Sequence, residues 1–508
     1  MLFNSVEFIF LFLPITLLLF FFIGHRGHHR VAISWLVAAS LFFYAWWNPA
    51  YLIILVISIL FNYMLGVALS GQKQKALLIF GISANLGLLA YYKYANFLIS
   101  NVNAISDSHW ASSEIFLPLA ISFFTFQQIA YLIDAYRGET REYNFLHYCL
   151  FVSFFPQLIA GPIVHHRDML PQFSSDRKYK INYSHLAVGV SIFLLGLFKK
   201  TVIADGYSPY ANEAFTELAN GNTLTFFEAW RGAFAYTFQL YFDFSGYSDM
   251  AVGIARMFGI LLPLNFNSPY KAKNIIEFWK QWHMTLSKFL RDYLYIPLGG
   301  NRKGQTRRYS NLILTMVLGG LWHGAGWTFI FWGLLHGLYL VINHAWHALK
   351  RYFKISLPDS PANTLMARLI TFISIIIAWV FFRADSFGSA ITMLKGMLGF
   401  YGVVWPVNKT EQLGFMAPYL KNWGLEFDYL LHFSGMGNLI AIIAMTLFVW
   451  YAPNVQQLMS KNPAVLNPPV ASRVYWKANW RWALWIGLLG SFAILKLGKF
   501  SEFLYFQF

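Results

Sequence analysis

Apolar runs of membrane-crossing length recur along almost the whole chain, and they constrain its fold more than any other feature. A helix needs about 20 mostly apolar residues to cross a hydrocarbon core of about 30 Å. Two shorter stretches, 146–163 and 310–322, are too broken for simple spans and favour re-entrant pieces or halves of a helical hairpin. The pattern predicts an all-α integral membrane protein with about 10–12 transmembrane helices. The long runs lie near residues 5–23, 31–46, 50–69, 76–99, 115–134, 185–204, 226–258, 327–345, 366–383, 436–453 and 481–497.

Composition supports a membrane environment. Hydrophobic residues make up 57% of the chain and charged residues only 12%, against about 25% charged residues in an average soluble domain. We find no internal repeat and no long linker, so we expect one membrane domain over residues 1–508, with residues 400–508 adding C-terminal helices. No small-residue cleavage site follows the first run, which favours a retained span over a signal peptide.

The net charge of +16 is compatible with nucleic-acid binding, but the basic residues occupy alternate connections between apolar runs. The positive-inside rule explains this alternation better, so we expect no nucleic-acid partner. The connections 47–49, 100–114 and 205–225 contain no Lys or Arg, which predicts an extracytoplasmic N-terminus. The clusters 271–308 and 350–354 would both be cytoplasmic, and the segment between them would be a membrane hairpin or a re-entrant structure. The other basic positions are Arg26, Arg30, Lys73, Lys75, Arg137, Arg141, Arg167, Arg177, Lys178 and Lys180, and acids in the intervening connections include Asp107, Glu114, Asp205, Glu213 and Glu217.

Polar side chains at membrane depth are costly and therefore suggest function. The first such group is Asp243 and Asp249, in the segment YFDFSGYSDM. These two acids would either orient a substrate or a histidine, or else form hydrogen bonds to neighbouring helices or face the aqueous edge. The sequence leaves both alternatives open.

The second group lies in residues 274–304. Asn274 followed by Glu277 forms a capping box, which predicts a helix from Asn274 to about Tyr293. On one continuous helix Trp279 and His283 would share the aromatic face. His283 would then be either a hydrogen-bonded structural residue or part of a catalytic site.

The third group lies in residues 310–347. His323 stands in the string WHGAGW, where glycines permit a chain bend that membrane proteins tolerate when it lines a cavity or is buried in protein. Thirteen residues later His336 begins a polar stripe with Asn343 and His347 on one helix face. His336 would be a second catalytic group or a residue that joins helices.

A histidine takes and returns a proton near neutral pH, so a neutral imidazole in a dry site can serve as a general base. The chain lacks the G-x-S-x-G, phosphate-loop and H-E-x-x-H motifs. A metal bound by His323 and His336 would need further ligands that the sequence does not offer, and the single Cys149 supplies no cysteine site, so we expect no metal.

Several segments together resemble the alginate O-acetyltransferase branch of the membrane-bound O-acyltransferase family. They are FWKQWHMTLSKFLRDYLYIPLGGNRKG, LTMVLGGLWHGAGWTFIFWGLLHG, YFDFSGYSDMA, ISFFTFQQIAYLIDAYRGE and FPQLIAGPIVHHRDM. The resemblance implies that His323 is the catalytic histidine and that His283 matches a second invariant position occupied by His or Asn. It makes residues 241–347 the catalytic core, in which we expect secondary, substrate-binding contacts from His336, Asp243, Asp249, Trp322 and Trp279.

The resemblance also implies a tunnel through a multi-pass protein of the bacterial inner membrane, surrounded by lipid. Acetyl-CoA would enter from the cytoplasm as a substrate, with no bound cofactor. The acetyl group would pass to an extracytoplasmic polysaccharide such as alginate, by way of a periplasmic acetyltransferase partner in some members. Related members acetylate cellulose or peptidoglycan. The rival functions are a transporter of acylated lipid or sugar, for which we find no inverted halves, and an inactive scaffold.

Overall fold

The computed structural model describes residues 1–111, 115–139, 144–174, 179–355, 358, 360–498 and 504. Glu114, Arg141, Arg177 and Lys178, which contribute to the charge pattern, lie outside the described residues. Helices account for most of the described chain, as predicted from the apolar runs. In chain order they are α1 Leu13–His25, α2 His29–Ala45, α3 Pro49–Gly71, α4 Lys75–Leu89, α5 Ala95–Ser106, α6 Ile121–Arg137, α7 Phe145–Ser153, α8 Phe155–Leu158, α9 His166–Met169, α10 Tyr183–Phe198, α11 Asp205–Ala219, α12 Phe226–Met257, α13 Ile275–Trp279, α14 Met284–Leu290, α15 Gly304–His323, α16 Trp327–Tyr352, α17 Pro361–Arg383, α18 Phe387–Met397, α19 Ala417–Asn422, α20 Met436–Tyr451, α21 Val455–Leu458 and α22 Trp480–Leu495.

Several α-helices are preceded or followed by short π-helical or 3₁₀ segments. Wider π-helical turns often occur at functional sites, because the extra residue displaces a side chain from the regular helical ladder. The turn Lys199–Ala204 carries Lys200 into the interior of the protein. The π-helical turns are Phe8–Phe12, Ala90–Tyr94, Lys199–Ala204 and Arg291–Tyr295, and the 3₁₀ segments are Leu170–Ser174, Pro269–Lys271 and Val407–Met416.

A small sheet interrupts the helical pattern near the C-terminal end. The strands β1 Val404–Pro406 and β2 Glu426–Asp428 pair in parallel, with Val404 opposite Glu426. Trp405 on β1 is buried against Leu425 and Phe433. This cluster gives the connection between α18 and α20 an apolar core of its own.

The chain forms two compact units. The first contains Met1–Phe198, Ser245–Asn265 and Val455–Gln507, and the second contains Lys199–Phe244 and Phe266–Asn454. Each unit therefore combines segments that are distant in sequence. The expectation of one membrane domain over residues 1–508 stays a prediction.

The first unit buries aromatic rings and a polar network. Phe8 packs against Phe43 with ring centroids 5.7 Å apart. Asn62 on α3 donates to Asn85 on α4 at 3.1 Å, and Asn85 donates back at 2.7 Å. Gln128 on α6 accepts from Ser58 at 2.9 Å. Such interhelical amide bonds satisfy polar groups that would be costly to leave unpaired in lipid.

The second unit contains a tight hairpin of α15 and α16. A Cβ atom on Gly320 would lie 2.2 Å from the carbonyl oxygen of Phe329, and one on Gly333 would lie 2.3 Å from that of Met316. Only glycine permits helices to approach this closely, as in small-residue contacts between membrane helices. The sequence prediction of a hairpin between the two basic clusters is therefore confirmed as a helix pair. Its depth in the membrane stays a prediction.

The apolar helices have the length and composition of membrane spans. Each predicted run overlaps a helix, and many large apolar side chains, such as Leu18, Ile53 and Ile440, remain exposed on those helices, as expected for a surface that faces lipid. These findings confirm an all-α, multi-pass membrane fold. Among the described residues six segments meet the criteria for a span, Phe8–His25, Pro49–Gly71, Lys75–Ser106, Tyr183–Ala219, Trp327–Tyr352 and Pro361–Arg383. Shorter apolar helices are His29–Ala45, Met436–Tyr451 and Trp480–Leu495, and the total of crossings stays a prediction.

Candidate active site

His323 lies at the tip of the α15–α16 hairpin. It is the last residue of α15, and α16 begins four residues later at Trp327. Gly324 and Gly326 have extended backbone conformations that turn the chain between the two helices. The sequence therefore places an ionisable side chain at the point where the helical hydrogen bonding stops. The predicted break at this histidine is confirmed.

Aromatic rings enclose the His323 side chain, which is only 5% exposed. Its ring centroid lies 5.2 Å from that of Trp332 on α16 and 5.2 Å from that of Phe382 on α17, both in edge-on arrangements. Trp322 on α15 lies 4.8 Å away. Apolar walls of this kind exclude water and strengthen any polar interaction inside them.

His283 occupies a break in the chain, and the prediction of one continuous helix from Asn274 to Tyr293 is wrong. The predicted N-cap is present, since Asn274 accepts from the backbone N–H of Glu277 at 2.9 Å. The Glu277 carboxylate accepts from the backbone N–H of Lys273 at 2.8 Å, one residue before the partner that a capping box requires. However, α13 ends at Trp279 and α14 begins at Met284, with His283 between them at φ +42°. A non-glycine residue rarely adopts this left-handed conformation, and such strain is concentrated at functional sites.

The left-handed conformation buries the His283 ring completely. The ring lies edge-on to Phe244, with centroids 4.8 Å apart, and 6.4 Å from Trp322. His283 lies outside the six candidate spans. Desolvation by burial lowers its pKa to about 3, so the imidazole is neutral at physiological pH.

His336 lies on α16, nine residues after the helix begins at Trp327, and it is fully buried. The indole N–H of Trp279 donates to its Nδ1 at 3.3 Å. Because Trp can only donate, Nδ1 must carry a lone pair, and the neutral ring then holds its proton on Nε2. That Nε2 is buried and, within the part of the chain that the structure describes, has no hydrogen-bond partner. A buried polar group without a partner is rare and calls for an explanation.

The three histidines form one assembly in which tryptophans alternate with them. Trp322 contacts His283 and His323, and Trp332 contacts His323 and also His336 at 4.8 Å. We call His283, His323 and His336 the histidine cluster. The structure thus brings together all three histidines and both tryptophans, Trp322 and Trp279, that the sequence singled out. Sequence reasoning missed Trp332 and Phe382, for which an aromatic ring on an apolar helix offers no distinguishing signal.

The two acids of α12 take part in other contacts. Asp243 is 1% exposed and forms an ion pair with Lys200, with 2.7 Å between its Oδ1 and the lysine Nζ. Lys200 also donates to Asp205 at 2.9 Å. We call Lys200, Asp205 and Asp243 the lysine cluster. Sequence reasoning missed Lys200, although a lysine inside an apolar run was the signal that would have revealed it.

Asp249 belongs to the first unit, where its Oδ1 accepts from the Gln456 side chain at 2.9 Å. Both acids therefore join segments far apart in sequence, which agrees with the alternative that they bond to neighbouring helices. Their assignment as substrate contacts stays a prediction. Among the described residues no group of three His, Cys, Asp or Glu side chains is arranged to hold a metal ion.

The comparisons with known proteins identify the family. The model of the membrane-bound O-acyltransferase family matches residues 136–384, which include the whole histidine cluster. A probable alginate O-acetylase of Pseudomonas aeruginosa is 37% identical over 544 aligned positions that cover all of both chains. A peptidoglycan O-acetyltransferase of Helicobacter pylori is 48% identical over 433 residues, covering 79% of this chain and 81% of the relative. A teichoic acid D-alanyltransferase of Bacillus subtilis is 30% identical over 285 residues, covering 53% and 69%.

This chain belongs to the membrane-bound O-acyltransferase family. It is accordingly a multi-pass membrane enzyme that transfers acyl groups, and the predicted family, fold class and enzyme class are confirmed. The roles of the individual site residues, the acyl donor and the orientation in the membrane stay predictions.

Proposed function

We propose that the protein transfers an acetyl group from cytoplasmic acetyl-CoA to a hydroxyl group of an extracytoplasmic polysaccharide, directly or through a periplasmic acetyltransferase partner. The observation that carries the proposal is the position of His323, buried among aromatic rings at a chain break and flanked by two further buried histidines. The names of relatives that align over most of this chain, alginate O-acetylase and peptidoglycan O-acetyltransferase, support a glycan acceptor.

In the proposed reaction the hydroxyl oxygen attacks the carbonyl carbon of the acetyl thioester. His323 accepts the hydroxyl proton as the new C–O bond forms. The C–S bond then breaks with its electron pair on sulfur, and the imidazolium returns the proton to the thiolate. The products are an acetyl ester and free CoA, so atoms and charge balance.

The other two histidines would assist this step as neutral rings. Burial keeps His283 uncharged, so it positions the reactants without holding a cation in the site. The Nε2 proton of His336 is a donor without a partner among the described residues, suited to a carbonyl oxygen that gains negative charge. Trp279 would fix the orientation of His336 through its hydrogen bond.

The acceptor has two candidates of the same chemical class. Identity over the full length of both chains favours alginate or a similar secreted polysaccharide. The higher identity of 48% to the peptidoglycan O-acetyltransferase favours the glycan strands of the cell wall. Both polymers lie outside the plasma membrane, which is compatible with the inner-membrane location that the family resemblance implies.

The experiment compares His323→Ala with His109→Ala, which removes an exposed histidine. Purified protein in detergent receives labelled acetyl-CoA and either alginate or peptidoglycan fragments. We expect His323→Ala to lower the rate of transfer by about 10²- to 10⁴-fold, the usual contribution of a general base, and His109→Ala to behave like the wild type. Undiminished transfer by His323→Ala would refute the assignment. A transporter would leave acetyl-CoA intact in detergent, where no gradient exists.

A further inference from the structure

The open end of the α15–α16 hairpin, opposite the His323 tip, contains a cavity of about 790 Å³. We call it the basic cavity, and its lining includes Arg308, Tyr309, His344, Lys350, Arg351 and Lys354. Measured along α15, Arg308 lies 15 residues from His323, or about 22 Å at 1.5 Å per residue. On α16 the lining residue His344 lies eight residues from His336, or about 12 Å, and His336 does not line the cavity. The basic cavity is therefore separate from the proposed catalytic His323.

The charged side chains that line the basic cavity are all positive. Four of the lining side chains are permanent cations at neutral pH, Arg308, Lys350, Arg351 and Lys354, and no lining residue is acidic. In the part of the chain that the structure describes, no carboxylate forms an ion pair with any of the four. Cations gathered around one concave space repel each other, and an anion in that space would relieve the repulsion.

Hydrogen-bonding groups accompany the charges. The Arg308 guanidinium lies 3.1 Å from the ring nitrogens of His344. Because a guanidinium can only donate, the ring nitrogen that accepts from it must be unprotonated, and His344 therefore orients Arg308 without adding a charge of its own. A planar guanidinium held in this way is suited to two parallel hydrogen bonds with a phosphate group.

We propose that the basic cavity is a binding site for phosphate groups. Its volume suits a small phosphorylated molecule or a lipid headgroup, and it exceeds what one inorganic ion fills. The basic connections at 271–308 and 350–354 place it on the cytoplasmic side by the charge pattern. Two ligands of that side share the required chemistry, a soluble phosphorylated acyl donor and an anionic phospholipid.

The experiment measures binding, with no turnover, for full-length protein in nanodiscs. The test variant is Arg308→Gln with Arg351→Gln, and the matched control is Lys421→Gln with Arg473→Gln, which removes two exposed cations elsewhere. In the first arm adenosine 3′,5′-bisphosphate is titrated into phosphatidylcholine nanodiscs in a calorimeter. In the second arm the protein is extracted from mixed phosphatidylcholine and phosphatidylglycerol membranes, and the retained lipid is measured by mass spectrometry.

If the cavity binds the phosphate groups of a soluble molecule, we expect the test variant to weaken binding of the bisphosphate by at least about tenfold. This is the usual loss for hydrogen bonds to a charged group. If the cavity binds the phosphate of a lipid headgroup, we expect the wild type to retain more phosphatidylglycerol than the mixed membrane contains, and the test variant to lose this enrichment. The control should preserve both signals. The proposal is overturned if wild-type protein binds neither probe, or if the test variant matches the control in both arms.

The outcome is independent of the proposed function. His323→Ala should retain the binding signal, since that residue lies at the other end of the hairpin. A protein that binds either probe and transfers no acetyl group would contradict the proposed function and leave the phosphate site established. The reverse result, acetyl transfer by a protein that binds neither probe or whose test variant matches the control in both binding arms, would overturn only the phosphate site.

Discussion

The histidine cluster and the lysine cluster bury polar side chains in the same unit by opposite means. The histidine cluster surrounds imidazoles with tryptophan and phenylalanine rings and leaves a buried nitrogen of His336 without a partner among the described residues. The lysine cluster encloses a full charge, and two carboxylates approach Lys200 within 3 Å. A neutral ring tolerates an apolar site, whereas a buried ammonium requires counter-charges.

This difference indicates different roles. The side chains of Lys200 and Asp243 are each only 2% exposed, so their ion pair is held in one arrangement that joins the π-helical turn at Lys199–Ala204 to α12. In the histidine cluster the Nε2 of His336 has no hydrogen-bond partner among the described residues and so can bind a substrate atom. We therefore propose that the lysine cluster serves stability and the histidine cluster serves the proposed chemistry, and three predictions test this division.

The largest effect is expected from Lys200→Met. Removing the cation leaves Asp243 buried beside Asp205 with no lysine between them, and breaking a buried pair in this way usually costs about 3–5 kcal/mol. The free energy of unfolding is measured by titration with sodium dodecyl sulfate. The control is Lys421→Met, an exposed lysine.

A second substitution sharpens the test. Lys200→Met combined with Asp243→Asn removes both partners of the most buried pair and should recover part of the lost stability. If Lys200→Met unfolds at the same detergent fraction as the wild type, the lysine cluster has no structural role.

The next effect is a pH dependence caused by His283. Its folded pKa of about 3 lies below the unfolded value of about 6.5, so the unfolded chain binds more protons between these values. The contribution of the neutral ring to stability is complete above about pH 6.5 and is lost progressively as the pH falls towards 3. Between pH 7 and pH 5 we expect a loss of about 2 kcal/mol from this residue.

His283→Asn removes the titrating group while keeping a polar side chain of the kind that the family resemblance implies at this position. Its unfolding curves at pH 7 and pH 5 should therefore lie closer together than those of the wild type. His109→Asn, which removes an exposed histidine, should keep the wild-type difference. Equal pH dependence in His283→Asn and wild type would show that the buried ring does not titrate as expected.

The smallest effect concerns the hydrogen bond from Trp279 to His336, at 3.3 Å and only partly buried. We expect Trp279→Phe to cost about 1 kcal/mol of unfolding free energy, since the ring packing is largely kept. His336→Ala should cost more, and the double variant should cost less than the sum of the two. Strict additivity would mean that the bond contributes nothing and that another contact orients His336.

The candidate site was predictable from the sequence to the extent that its signals are local. The glycines around His323 predict the break, and Asn274 with Glu277 predicts where α13 begins. The sequence alone could not predict that the helix stops before His283, because the hydrophobic pattern continues through that residue. The left-handed backbone there accompanies a contact of the buried ring with Phe244, which is distant in sequence.

The sequence by itself determined three properties: that this is a membrane protein, that the chain bends at His323, and that it belongs to this family. Each depends on neighbouring residues, through the length of apolar runs, the placement of glycines and the spacing within motifs. Only the tertiary structure decided which side chains share a site. Lys200 meets Asp243 across 43 positions of sequence, and the three histidines come together through tryptophans of different helices. Such contacts depend on how helices pack, and the apolar periodicity that defines a helix does not specify its neighbour.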